Sequence, residues 1–202
     1  MISLEQDGDY WLVVIDRPDK ANSLTPEMLG RLCEIAEAAQ AAKALVITGV
    51  GKVFSAGADL DAARAGLATS PLWERLSGAI ARLPGLSICA MNGTCAGGAI
   101  GMALACDLRI AVPGAKLFYP VMKLGFLPQP SDPMRLTALV GPARAKVILM
   151  AGQKIPVEEA AHWGLVDRIV EPPALLTDAR ALCEHTLAAD PALSGAIKQM
   201  IR

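Results

Sequence analysis

Twenty consecutive residues, 87–106, carry no charge: "SICAMNGTCAGGAIGMALAC", closed by Asp107. A run of that length is long enough to cross a bilayer, so it forces a choice between a membrane span and the buried part of a globular chain. Its internal pattern favours the second. "SICAM" is a short apolar run of strand type, "NGT" is a turn signal, and "GGAIGMALAC" resumes at helical spacing, which predicts strand, tight turn and helix. Gly97 and Gly101 have the spacing of a lipid-buried helix pair. The Asn-Gly turn interrupts that span, however, and Asp107 and Arg109 lead directly into another apolar segment, so no membrane partner is expected.

The rest of the chain alternates strands with helices. "YWLVVIDRP" reads as a strand ended by Pro18, Thr25-Pro26 opens a helix running to about Ala41, and "ALVITG" is the next strand. Ser70-Pro71 opens another helix to about Leu83, "LSICAM" and "DLRIAV" follow as strands, and the helix between them ends near Cys106. Beyond Pro113 lies a Pro-rich connector, "KLFYPVMKLGFLPQPSDP". Three helices closed by Gly come next, then a short strand "VDRIVE" and a helical tail in two pieces broken at Asp190-Pro191. This order predicts an α/β fold with partly parallel strands and crossover helices. The 202 residues suit one domain, with a core over about 1–140 and a helical region over about 141–202.

Charge narrows the partners. With 19 basic and 20 acidic residues and no basic stretch, neither nucleic acid nor an anionic membrane surface is indicated. The five cysteines have no CxxC spacing and an odd count, which suits reduced, buried thiols in a cytoplasmic protein. His162 and His185 without paired ligand spacing speak against a zinc site. "MISLEQDGDYW" lacks the pattern of a secretory leader.

Two loops carry the candidate chemistry. Small residues follow a buried strand at Ser55-Ala56-Gly57-Ala58-Asp59 and again at Ala96-Gly97-Gly98-Ala99, where a helix opens. Backbone N–H groups at a helix start have no intrahelical acceptor. If the loops face each other, two such groups would hold one oxygen as an oxyanion hole. The alternative is that these glycines serve only tight strand-to-helix turns.

Taken together, "IDRPDKANSLTPEML", "ITGVGKVFSAGADL", "MNGTCAGGAIGMALACDLRIA", "PVMKLGFLP" and "AGQKIPVEEAAHWGLVDRIV" resemble, in order and spacing, the crotonase (enoyl-CoA hydratase/isomerase) superfamily, from about residue 2 to 198. The resemblance implies a spiral of repeated ββα units, trimers or dimers of trimers, and acyl-CoA thioesters as ligands, with coenzyme A part of the substrate and no separate cofactor or metal. By the same resemblance the thioester oxygen would sit against the N–H groups of Ala58 and Gly98. Lys20, Ala21 and Leu24 would lie beside coenzyme A, and Ala56, Asp59 and Leu60 along the adenine and pantetheine path. Gly97, Gly101, Pro120, Val121, Leu124 and Gln129 would complete the substrate site. Asp59 has a second reading as a helix cap, and Lys20 as a solvated loop charge.

The departures from the family pattern fall on the acid–base groups. Family hydratases use two glutamates, and the matching positions here are Gly101 and Val121, neither of which transfers a proton. Gln129 stands where some isomerases and dehalogenases place a further group, and its amide is no base. Asp132 and Tyr119 are the candidate substitutes. Asp132 also reads as an N-cap or Asx turn, and Tyr119 as core. Cys95 reads as a buried thiol before a nucleophile, and His162 as surface or interface. The chain also ends earlier than its relatives typically do, which implies either a naturally short member or a more open pocket.

These features lead to an acyl-CoA-binding protein that keeps the oxyanion hole and lacks the hydratase pair, so that glutamate at positions 101 and 121 would restore hydration. The alternatives are a non-catalytic binding or assembly subunit, and an isomerase or thioesterase using Asp132 or Tyr119.

Overall fold

The computed structural model describes residues 1–201. Two sheets organise it. The larger has six strands in the order β1 (Ile2–Asp7), β2 (Tyr10–Ile15), β3 (Ala44–Gly49), β5 (Leu86–Met91), β7 (Leu108–Ala111) and β10 (Arg168–Ile169). Only the β1–β2 pair is antiparallel. The smaller sheet has four strands, β4 (Val53–Ser55), β6 (Thr94–Ala96), β8 (Lys116–Phe118) and β9 (Ile155–Pro156), of which β9 alone runs antiparallel.

The chain alternates between the sheets in a repeating unit. β3, β5 and β7 each enter the large sheet, and β4, β6 and β8 follow them a few residues later into the small one. Helices close each unit: α2 (Leu60–Arg64) and α3 (Leu72–Ala81), then α4 (Ala99–Ala105), then α5 (Val121–Leu124). This is the ββα spiral that the family resemblance implied. The turns between paired strands are fastened to one another by Asn92, whose Oδ1 accepts from Gly49 N at 3.0 Å and whose Nδ2 donates to Gly51 O at 2.9 Å.

Burial explains the uncharged run. All seven residues of α4 are buried, and the helix lies between α3 and α6 (Asp132–Leu149), so it has no polar face to offer water. The run resolves into β5, β6 and α4, and among the described residues no helix is long and apolar enough to cross a membrane. α1 (Pro26–Ala38) follows the amphipathic rule. Thr25 Oγ1 accepts from Met28 N at 3.3 Å, Pro26 sets the first turn, and Leu29, Leu32 and Cys33 are buried, with α3 alongside. Each fully buried Leu there contributes roughly 1.5–3 kcal/mol.

Several expectations need correction. β1 escaped the sequence reading because only Ile2 and Leu4 of its residues are apolar. The three-residue strands β4, β6 and β8 are too short to show a period. The connector after Pro113 is therefore not wholly irregular, since it contains β8 and α5. The first two of the three helices expected beyond it form α6, kinked at Gly141, whose φ of +79° stands just before Pro142. The third is α7 (Val157–His162). The tail has three helices, α8 (Leu175–Leu182), α9 (Glu184–Ala188) and α10 (Pro191–Ile201), because the chain breaks at Cys183 as well as at Asp190.

Candidate functional site

The first glycine loop is held by a segment distant in sequence but adjacent in space, residues 20–24. Leu24 pairs with Ala58 in a parallel bridge: Leu24 N donates to Gly57 O at 2.7 Å and Asp59 N to Leu24 O at 2.8 Å. In that register the N–H of Ala58 points away from Leu24. Asn22 is fully buried in the left-handed region, φ +54°, and fastens the loop from within. Its Nδ2 donates to Val50 O at 2.9 Å and Val53 O at 2.7 Å, and its Oδ1 accepts from Arg17 N at 2.8 Å. Ser55 Oγ donates to Asn22 O at 2.8 Å and accepts from Gly57 N at 3.1 Å.

The second loop lies directly against the first. A Cβ on Gly57 would stand 2.8 Å from Ala96 O and 3.0 Å from Gly98 N, and Gly57 has φ +87°, so only glycine fits. Gly97, φ +57°, donates its N–H to Phe118 O at 3.1 Å. That leaves Gly98 as the cap of α4. Among the described residues, neither Ala58 N–H nor Gly98 N–H has a hydrogen-bond acceptor. Trp73 closes over the other side of Gly98: a Cβ there would lie 2.9 Å from its ring, and Trp73 Nε1 is fixed to Leu67 O at 2.8 Å.

One turn further along α4, Gly101 faces Asp132. A Cβ on Gly101 would lie 2.7 Å from both carboxylate oxygens, so this carboxylate fills the space a side chain on Gly101 would take. Asp132 is not the cap of α6, which corrects one sequence reading. Ser131 holds the cap position, and Asp132 is the first helical residue, with its side chain turned inward. It is 1% exposed. Tyr119 Oη donates to Asp132 Oδ2 at 2.9 Å and accepts from Gln129 N at 3.3 Å, while Asp132 Oδ1, buried, has no partner. Ser131 is pinned to α3, its N and Oγ donating to the Glu74 carboxylate at 2.9 and 2.7 Å.

Burial dominates the electrostatics. It pushes the Asp132 carboxyl up to about 6, against the lowering effects of the Tyr119 hydrogen bond and of Arg135. Burial and the nearby Asp132 push the Tyr119 hydroxyl higher still, so it serves as a donor to Asp132. Burial likewise raises the Cys95 thiol, in keeping with the buried-thiol reading.

The other candidate positions fall around this core. Lys20 is exposed, and Ala21 and Ala56 are joined by a 3.0 Å hydrogen bond from Ala56 N to Ala21 O. Leu24 is fully buried with both backbone polar groups engaged, so it shapes the loop. Asp59 caps α2, accepting from Asp61 N at 3.1 Å and Ala62 N at 3.3 Å, and pairs with Arg17 at 2.9 Å. The Arg17 hydrogen bond and these amides hold its carboxyl below the usual range. Leu60 and Leu124 are exposed, Val121 is buried beside the half-buried Pro120, and Gln129 Nε2 is tied to Ala68 O at 3.2 Å. His162 is exposed on α7. Asn22, Trp73 and Glu74 escaped the sequence reading, as did the hydrogen bonds by which Ser55 holds its own loop. The Asn in "KANSL" was the one available signal, since Asn tolerates positive φ.

Two glycine loops adjoin at the ends of β4 and β6, and comparison with known proteins decides the family. The sequence profile described as enoyl-CoA hydratase/isomerase matches residues 8–202. The chain belongs to this family. Among its family relatives, the 1,2-epoxyphenylacetyl-CoA isomerase of Escherichia coli K12 is 32% identical over 94% of the chain and 77% of the relative. The carnitinyl-CoA dehydratase of Salmonella arizonae is 34% identical over 100% of the chain and 80% of the relative. The crystal structure of an enoyl-CoA hydratase from Bacillus anthracis superposes with a TM-score of 0.91 at 30% identity, covering 99% of this chain and 81% of that one.

Proposed function

We propose that this enoyl-CoA hydratase/isomerase family protein binds an acyl-CoA thioester with its carbonyl oxygen between the N–H groups of Ala58 and Gly98. The observation that carries this reading is the pair of N–H groups without acceptors on two loops packed against each other. As an enolate or tetrahedral oxyanion forms, charge moves onto that oxygen. Fixed donors then stabilise the transition state more than the ground state, an effect of several kcal/mol. The loops are held from behind by Asn22 and Ser55, so the donors need no reorganisation.

Hydration is not the reaction this site supports. Adding water across an enoyl bond by the family route needs two carboxylates, and Gly101 and Val121 supply none. The names of two relatives, an acyl-CoA isomerase and an acyl-CoA dehydratase, support a thioester ligand for this chain. Calorimetric titration with acetyl-CoA and crotonyl-CoA, against free coenzyme A, tests the reading. Binding that prefers the thioesters supports it. Equal or absent binding overturns it in favour of a non-catalytic binding or assembly subunit, the reading that the empty glutamate positions favour.

A further inference from the structure

We infer that Asp132 is the single proton-transfer group of this site, a carboxylate carried on α6 that fills the space over Gly101, and that the chain is built for one-base enolate chemistry. The inference rests on the thioester reading above. Three observations carry it. A Cβ on Gly101 would lie 2.7 Å from both Asp132 oxygens, so a side chain on α4 and this carboxylate exclude each other. Gly101 is three residues after Gly98, which places it on the same face of α4 as the capping residue. Asp132 Oδ1 is buried with no partner, whereas a structural carboxylate so deeply buried is ordinarily satisfied at both oxygens.

The chemistry balances with one base. Asp132 takes a proton from the thioester Cα, and the electron pair of the broken C–H bond moves to the carbonyl oxygen held by Ala58 and Gly98. The same proton, or one exchanged with solvent, returns to Cα or, in a β,γ-enoyl thioester, to Cγ, which moves the double bond into conjugation. Tyr119 is a positioning residue: its hydroxyl fixes Oδ2 and leaves Oδ1 free. The groups facing Asp132 are Tyr119 after β8, Arg135 on α6 and Glu74 on α3, while Gly101 on α4 presents no side chain.

The test follows 3-butenoyl-CoA in D2O by proton NMR, with calorimetric binding of crotonyl-CoA in parallel. Wild type is expected to place deuterium at Cα and form crotonyl-CoA, and Asp132→Asn to do so at least about 100-fold more slowly with unchanged binding. Tyr119→Phe removes a hydrogen bond that favours the carboxylate, so the rate is expected to rise with pH through an inflection higher than that of wild type. Wild type that binds the thioester without exchange, equal rates in Asp132→Asn, or an inflection unmoved by Tyr119→Phe overturns the inference. Failure of wild type to bind crotonyl-CoA overturns the thioester reading itself. Because Tyr119→Phe keeps the carboxylate in place, it decides the matter even if Asp132→Asn fails to fold.

Discussion

Asp132 and Gly101 share one volume: the carboxylate of the first lies where the second would carry its Cβ, 2.7 Å from either oxygen. This relation changes what substitution can restore. Gly101→Glu with Val121→Glu, the pair suggested by the sequence, would drive a side chain into a buried carboxylate. Hydration of crotonyl-CoA is expected only when Asp132→Gly is added, and activity in the pair alone would contradict the packing.

The same relation gives a sign reversal in stability. In a helix interior Gly→Ala ordinarily gains up to about 1 kcal/mol, but overlap in a packed core costs about 1–3 kcal/mol. Gly101→Ala is therefore expected to destabilise wild type and to stabilise an Asp132→Ala background. Urea unfolding of the four proteins measures this, and one sign in both backgrounds would exclude the close contact.

Stability should also depend on pH through Asp132. Its folded value, about 6, lies above its ordinary value of 3.8, so the native state binds the proton more tightly than the unfolded chain. The stabilisation is present below about pH 4 and is lost as pH rises through about 6, on the order of 3 kcal/mol in total. Unfolding at pH 4 to 7 should show wild type losing most of that amount relative to Asp132→Asn. A constant difference between the two would contradict the burial argument.

Gly57→Ala is expected to damage the loop pair specifically. The residue has φ +87°, and its Cβ would stand 3.0 Å from Gly98 N, beside one of the two free donors. A stability loss of about 1–3 kcal/mol should accompany loss of any preference for thioesters over free coenzyme A. A variant that keeps the preference would place the ligand elsewhere.

Asn22→Ala tests the support behind the loop. Three hydrogen bonds end on this fully buried side chain, and removing it strands Val50 O and Arg17 N. Roughly 2–4 kcal/mol of stability should be lost in thermal or urea unfolding. A change under 1 kcal/mol would mean the loop is held by its backbone pairs alone.

The order of the long strands and helices was legible because these elements have clear signatures: β3 and β5 are apolar but for Thr48 and Ser87, and α1 has its Thr25-Pro26 start. The glycine loops were legible because positive φ and close approach at Gly57 and Gly97 admit few other residues. Short strands gave no period, and the polar support from Asn22, Ser55 and Glu74 joins residues 28 to 57 positions apart, which no local pattern encodes. Asp132 was visible as a carboxylate near the connector. That it occupies the space over Gly101 depends on the packing of α4 against α6, and so appears only in three dimensions.

The most direct measurement compares acetyl-CoA with S-ethyl-coenzyme A, the thioether that keeps the chain and sulfur but lacks the carbonyl oxygen, by calorimetric titration of the unmodified protein. Two N–H donors to one oxygen predict tighter binding of the thioester by on the order of tenfold or more. Equal affinities would show that Ala58 and Gly98 do not hold a carbonyl, and the oxyanion account would fall.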